Sequence, residues 1–288
     1  MATRKAGSTA KKTKKSPSAS KSTTTVTTVK AVDTKPTVAA TATSTTTRTS
    51  KMSLSSVPIA ALLAEFVGTL ILTTVYIVTK GEPLYLGFGL IAIVLFVGTL
   101  SGAHVNPIHT VGAWVTRRMS SLQALGYLAA QILGAIAALG LLTAFIGGAP
   151  QQVNEQAAAM GQQAPQLFNV ADLTKGKEWF VFFAELTGAV VFSYAVATAL
   201  REKNDRVAAA MTAGFGLFVA ALIAGVAASY VSAHAVINPA IALTVGAVDW
   251  GKINFMAISA YLIAPLIGGV LGFALSDALR TGRAKDEV

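Results

Sequence analysis

The chain has 288 residues, 53% hydrophobic and 12% charged, a balance too apolar for an ordinary soluble domain. It has no cysteine, which excludes disulfides, thiol chemistry and cysteine-ligated metals, and its three histidines are too few for a histidine-based metal cluster. The net charge of +10 is concentrated in residues 1–51, where eleven Lys/Arg stand against the single acid Asp33, whereas residues 52–288 hold 12 basic and 12 acidic residues.

Residues 1–53 are rich in Ser, Thr, Lys and Ala and contain no aromatic residue. Such a segment cannot bury enough apolar surface to offset its ordering, so it is predicted to be a disordered, basic, cytoplasmic tail. No apolar run precedes residue 57, so it does not read as a secretory signal. The pairs Lys11-Lys12 and Lys14-Lys15 suit an anionic lipid surface, and no specific nucleic-acid partner is expected.

A first membrane span is predicted over 57–79, and Lys80-Gly81-Glu82-Pro83 connects it to a second over 84–100. Ser101-Gly102-Ala103-His104-Val105 then leads into Asn106-Pro107-Ile108, and an apolar helix over 106–116 ends at Arg117-Arg118. At 1.5 Å per residue that helix is about 16 Å long, half a bilayer, so it dips in and returns. The third span is predicted over 122–146, followed by a Gln/Gly/Pro-rich aqueous linker over 148–177. Further spans are predicted over 178–200, 207–230 and 253–279, with a second half-helix over 238–248 starting at Asn238-Pro239-Ala240. Residues 281–288 are read as a C-terminal tail.

The two halves echo one another. Ala64-Glu65-Phe66-Val67-Gly68-Thr69 matches Ala184-Glu185-Leu186-Thr187-Gly188-Ala189, and a Gly-Phe-Gly-Leu run precedes each Asn-Pro turn. Repeat one covers 54–147 and repeat two 178–280. Each has three full spans, an odd number, so the second enters from the opposite side. The fold class is therefore an all-α membrane protein, with six transmembrane helices and two re-entrant half-helices in an inverted repeat, whose site lies near the midplane. Short loops on one side carry Arg117, Arg118, Arg201, Lys203, Arg206, Arg280, Arg283 and Lys285, against Lys80, Lys175, Lys177 and Lys252 on the other. Together with the basic tail, this bias places both termini in the cytoplasm of a multi-pass cell-membrane protein.

A turn inside a membrane stretch is tolerable only where its backbone lines a cavity or is buried in protein. Two such turns related by symmetry bring two helix N-termini together at the pore centre, where unsatisfied N–H groups repel cations. The Asn106 and Asn238 side chains add NH₂ donors that hold the oxygen of a passing neutral solute. One donor from each side turns both hydrogens of a water outward, interrupting a proton wire while water flows. Glu65 and Glu185 are carboxylates inside spans and are costly unless partnered; accepting hydrogen bonds from the re-entrant loops is the expected role, and a proton relay is the competing one. Gly68, Gly126, Gly134, Gly188, Gly268, Gly269 and Gly272 read as close helix contacts.

With these motifs, the chain resembles the major intrinsic protein family, the aquaporins and glycerol facilitators. The resemblance rests on Ala64 to Thr69, Ser101 to Pro107, Ala184-Glu185 and Asn238-Pro239-Ala240, and it covers about residues 55–280. It implies an aquaporin-like channel domain over 54–280, a homotetramer with one pore per protomer, and passage of water and small neutral solutes. No nucleophile, base and orienting acid stand together in the sequence and no metal-ligand spacing appears, so no cofactor, metal or enzyme activity is expected. Pro107, Ile108, Pro239 and Ala240 complete the pore centre. Ile108 stands where the family usually has Ala, and Ile241 where it usually has Arg at the outer constriction. By spacing from Asn238, the rest of that ring is Val226 and Ala235, with Leu86 or Phe88 from the second span, all apolar. Three outcomes follow: a water channel, a channel with a widened filter for glycerol, urea, other solutes or ions, or a structural tetramer whose apolar pore is closed. His104 and His109 fall on the cytoplasmic side of the pore. His104 braces the loop or lines the inner mouth. His109, the symmetry mate of Ile241, is a solute contact, a pH gate or a packed imidazole. His234 reads as loop packing.

Overall fold

The computed structural model describes residues 58–149, 155–161, 164, 166–249, 251 and 253–286. The tail expected over 1–53 lies outside the described residues. The chain runs α1 (Ile59–Thr79), α2 (Pro83–Ser101), α3 (Pro107–Val115), α4 (Ser121–Gly147), α5 (Glu155–Ala159), α6 (Glu178–Ala199), α7 (Arg206–Ser229), α8 (Pro239–Ala242), α9 (Phe255–Ile258), a π-helical turn (Ser259–Ile263) and α10 (Ala264–Asp286). Among the described residues, six helical stretches are long and apolar enough to cross a membrane: α1, α2, α4, α6, α7 and the last stretch from Phe255 to Arg280.

Helix starts follow from local chemistry. Asp205 caps α7 by accepting from the Val207 and Ala208 N–H groups, Asn254 caps α9, and Ser120 caps α4. Pro83, Pro107 and Pro239 occupy first helical positions, where the missing N–H costs nothing. In α1 the buried residues Ala61, Ala64, Glu65, Gly68, Thr69, Leu72, Thr73 and Tyr76 recur at helical spacing, while Leu63, Val67 and Val78 are exposed. An apolar exposed face opposite a buried one is the pattern of a helix solvated by lipid.

The repeat is visible in the packing. α1 packs against α2 and α4, α6 packs against α7 and α10, and the α2–α7 and α3–α10 contacts join the halves. A side chain at Gly134 would collide with the Phe66 carbonyl, and one at Gly268 with the Leu186 carbonyl. Phe66 and Leu186 follow Glu65 and Glu185, so both close crossings are the same contact repeated.

Three segments depart from expectation. The second half-helix, predicted over 238–248, is regular only over Pro239–Ala242. Beyond Ala242 the backbone turns tighten: the Thr244 N–H and Oγ1 both donate to the Ile241 carbonyl, three residues back, and Gly246 adopts φ 72°. The linker is only partly aqueous, since Leu167, Phe168, Val170 and Leu173 pack on the core and the Val170 N–H donates to the Val245 carbonyl at 2.7 Å. The last span contains a π turn just before Pro265, which cannot donate the regular helical bond, and its backbone stays helical past 279 to Asp286.

Candidate functional site

Both re-entrant segments enter through residues in the left-handed region. Val105 has φ 42° and Ile237 φ 52°; both are β-branched, for which this conformation costs about 1–3 kcal/mol. A carboxylate buried in the preceding span holds each turn. Glu65 accepts from the His104 and Val105 N–H groups at 2.9 and 2.7 Å, and Glu185 accepts from the Val236 and Ile237 N–H groups at 2.5 and 2.8 Å. Gln131 on α4 donates to Glu65 at 2.7 Å and to Thr110 Oγ1 at 2.9 Å. In both carboxylates each oxygen is engaged by a loop N–H.

The asparagines are oriented by the helices they begin. Asn106 Oδ1 accepts from the Ile108 N–H at 3.0 Å, and Asn238 Oδ1 from the Ala240 and Ile241 N–H groups at 3.0 and 3.4 Å. This turns each NH₂ toward the opposite half. Asn106 Nδ2 donates to the Ile237 carbonyl at 2.8 Å, and Asn238 Nδ2 donates to the Val105 carbonyl at 3.3 Å. The strained residues thus present the acceptors, and each amide retains a second hydrogen. Pro107, Ile108, Pro239 and Ala240 are buried behind them, with the Ile108 carbonyl packed on Gly269.

A cavity of ≈ 10 Å³, about the smallest that holds one water, lies between the halves. Its walls are Leu72, Tyr76, Leu86, Phe192, Leu217, Val236, Ile237 and Ile241, with Asn106 and Asn238. Of the ring expected at the outer constriction, Leu86 and Ile241 are at this cavity. Phe88 and Val226 are not: they are 58% and 48% exposed and face away from the bundle. Val226 fails because the buried face of α7 runs through Ala210, Ala213, Gly214, Leu217, Ala220, Ala221, Ala224 and Ala228, and Val226 lies opposite it. Leu217 is the α7 residue at the cavity. Ala235 contributes its carbonyl, which accepts from the Tyr76 hydroxyl at 2.9 Å.

The three histidines have distinct surroundings. His104 is tied to Glu65 through its N–H, its Nδ1 lies 3.2 Å from Thr110 Oγ1, and it borders an open cavity of ≈ 560 Å³ at one mouth. Arg118, Arg201, Lys203 and Arg280 line the same mouth. There Asp277 takes Arg118 at 2.6 Å and also Arg201, whose other amine donates to Ser276 Oγ at 2.5 Å. His109 is fully buried, with Nδ1 3.1 Å from the His104 carbonyl and its ring edge-on to Phe192 at 4.3 Å. His234 Nδ1 accepts from the Ala171 N–H at 3.3 Å, and its ring packs on Phe168, so it ties the linker to the second loop.

Sequence reasoning missed a set of tyrosines. Tyr76 braces Ala235, Tyr261 donates to the His234 carbonyl at 3.1 Å, and Tyr127 donates to the Ser101 carbonyl at 3.0 Å. Tyr127 and Tyr261 each lie seven residues before the matched glycines Gly134 and Gly268, a repeat signal available from spacing alone.

A family model described as major intrinsic protein matches residues 49–276, most of the chain. The chain belongs to the major intrinsic protein family. Among similar proteins in this family are a glycerol uptake facilitator protein-like 6 from Lactiplantibacillus plantarum, 32% identical over 45% of this chain, and aquaporin TIP1-1 from Arabidopsis thaliana, 30% identical over 63%. These matches span 58% and 64% of the two relatives' own lengths. The X-ray structure of the aquaglyceroporin from Plasmodium falciparum shares the fold, with a TM-score of 0.52, 16% identity, and coverage of 76% of this chain and 93% of that one. As a major intrinsic protein with six apolar helical stretches, the chain is a multi-pass membrane protein. Within this family frame, the cavity-lining position three residues after Asn238 is Ile241, and its counterpart after Asn106 is His109.

Proposed function

We propose that this major intrinsic protein is a passive channel for water and small neutral solutes, and not an enzyme. The observation that carries the reading is the reciprocal Asn106–Asn238 arrangement beside a water-sized cavity at the junction of the two repeats. The amide hydrogen left on each asparagine donates to the oxygen of a solute in transit. Donors from both sides orient water with its hydrogens outward, so a hydrogen-bonded proton wire is broken at the centre. The nine-residue α3 supplies most of the helix-dipole barrier to cations, since α8 is a single turn.

The outer wall is apolar: Leu72, Leu86, Leu217 and Ile241, with Tyr76 as its polar member. Without a fixed charge at position 241, passage there is governed by width and wetting rather than by cation repulsion. The reading includes a homotetramer, cytoplasmic termini, a cell-membrane location, and contact of the basic tail with anionic lipid.

The absence of native cysteine provides the test. Ile241→Cys and Leu217→Cys place the sole thiol on the proposed wall, and Val226→Cys places it outside. In proteoliposomes, a mercurial is expected to block osmotic water flux through the first two and spare the third. Equal sensitivity of all three, or of none while flux persists, contradicts the proposed path.

A further inference from the structure

We propose that His109 is a fixed hydrogen-bond acceptor on the conduit wall, selecting neutral solutes that carry both a lone pair and an N–H or O–H hydrogen. The inference rests on the channel reading above and adds a second selective point, on the side of the Asn pair that faces the Arg118–Arg201 mouth.

Position is the first ground. Ile241, three residues after Asn238, lines the central cavity, and His109 stands three residues after Asn106. The repeat symmetry that makes Val105 and Ile237 equivalent places His109 at the corresponding point across the Asn pair. Packing agrees. The His109 ring meets Phe192, which lines the central cavity, at 4.3 Å, and lies 6.5 Å from Phe273. Phe273 carries the Arg118 guanidinium on its face at 4.9 Å, and Arg118 lines the mouth cavity. His109 lines neither cavity: Phe192 stands between it and the central one, and Phe273 and Arg118 lie between it and the mouth.

Chemistry is the second ground. A carbonyl oxygen only accepts, so the 3.1 Å contact with the His104 carbonyl puts the imidazole hydrogen on Nδ1. Nε2 then holds a lone pair. It is fully buried and has no hydrogen-bond partner among the described residues, and it is the one ring nitrogen among the five buried side-chain atoms in that state there. A solute parting the His109 and Phe192 rings completes it. The solute offers a hydrogen to Nε2 and, one step along, a lone pair to the Asn106 and Asn238 amides. Water, ammonia and small amides or polyols satisfy both demands; a solute with acceptors alone leaves Nε2 unpaired.

The test compares two substitutions of similar length, His109→Leu and His109→Gln, in proteoliposomes of the full chain, with water and formamide as probes. The leucine variant is expected to lose about three- to tenfold in both permeabilities, whereas glutamine, which offers an amide oxygen, stays within about twofold of wild type. A leucine variant as permeable as wild type, or equal losses in both variants, overturns the assignment. Wild-type vesicles that pass neither probe overturn the channel reading instead. Should the leucine variant fail to fold, nitrogen-15 NMR of histidine-labelled wild type decides: an unprotonated Nε2 at His109 supports the proposal and a protonated one contradicts it.

Discussion

Asn106 and Asn238 hold each other's turns in place: each donates to the carbonyl of the residue that precedes the other, at 2.8 and 3.3 Å. The two halves of the repeat are thereby stitched at the point where both backbones are strained. Removing either side chain deletes a helix cap and leaves the opposite carbonyl without its donor. Asn106→Ala and Asn238→Ala are each expected to cost about 2–4 kcal/mol. Asn106→Ala is expected to cost more, because its bond is the shorter. Thermal unfolding in detergent measures both, and the double substitution is expected to cost less than the sum, since the two share one junction.

The bracing carboxylates are not equivalent. Glu185→Gln places an NH₂ against the Val236 or Ile237 N–H, and both donors to this carboxylate among the described residues are backbone N–H groups that cannot turn over. Glu65→Gln meets Gln131, whose Oε1 has no partner among the described residues and becomes an acceptor if the amide turns over. Glu185→Gln is expected to destabilise by about 1–3 kcal/mol, and Glu65→Gln by less. Amide exchange over 232–238 in the first variant and over 102–106 in the second checks the order.

Bulk at the cavity separates wall from exterior. Leu217→Trp is expected to bring osmotic water flux down to the protein-free rate, while Val226→Trp, on the outward face of α7, leaves it near wild type. Ile241→Arg restores a cation and several donors to the wall, and is expected to reduce glycerol passage relative to water. Unchanged or higher glycerol permeability in that variant counts against Ile241 as a filter residue.

Burial lowers the His234 pKa from its ordinary range. The folded chain favours the neutral ring, whose Nδ1 accepts from Ala171. As pH falls below about 6.5, the unfolded chain takes up the proton first, so stability is present above that pH and is lost as pH falls through the lowered value. Amide exchange at Ala171, corrected for its intrinsic rate, is expected to be faster near about pH 5 than at neutrality. His234→Asn is expected to abolish the difference.

Much of the fold was legible because the repeat writes it twice. Glu65 and Glu185, the Asn-Pro turns and the matched glycines announce both the inverted topology and the braces. The constriction was less legible. Counting back from Asn238 crosses the 230–237 loop, where Ser232 and Ile237 have left-handed backbones, so sequence distance does not convert into helix position. The alanine stripe of α7 carried the correct face, pointing to Leu217 rather than Val226. Beyond α8 the turns tighten at Thr244 and Gly246, residues whose part appears only once the Ile241 carbonyl has its partners. The matched spacing of Tyr127 and Tyr261 marks them as a pair, but their acceptors are backbone carbonyls, which no sequence motif names.

Stopped-flow osmotic shrinkage of liposomes containing the full chain, beside matched protein-free liposomes, tests the conduit most directly. Shrinkage faster than that of the protein-free vesicles, and abolished by Leu217→Trp, is the expected result. Shrinkage no faster than that of the protein-free vesicles would contradict a water path between Asn106 and Asn238.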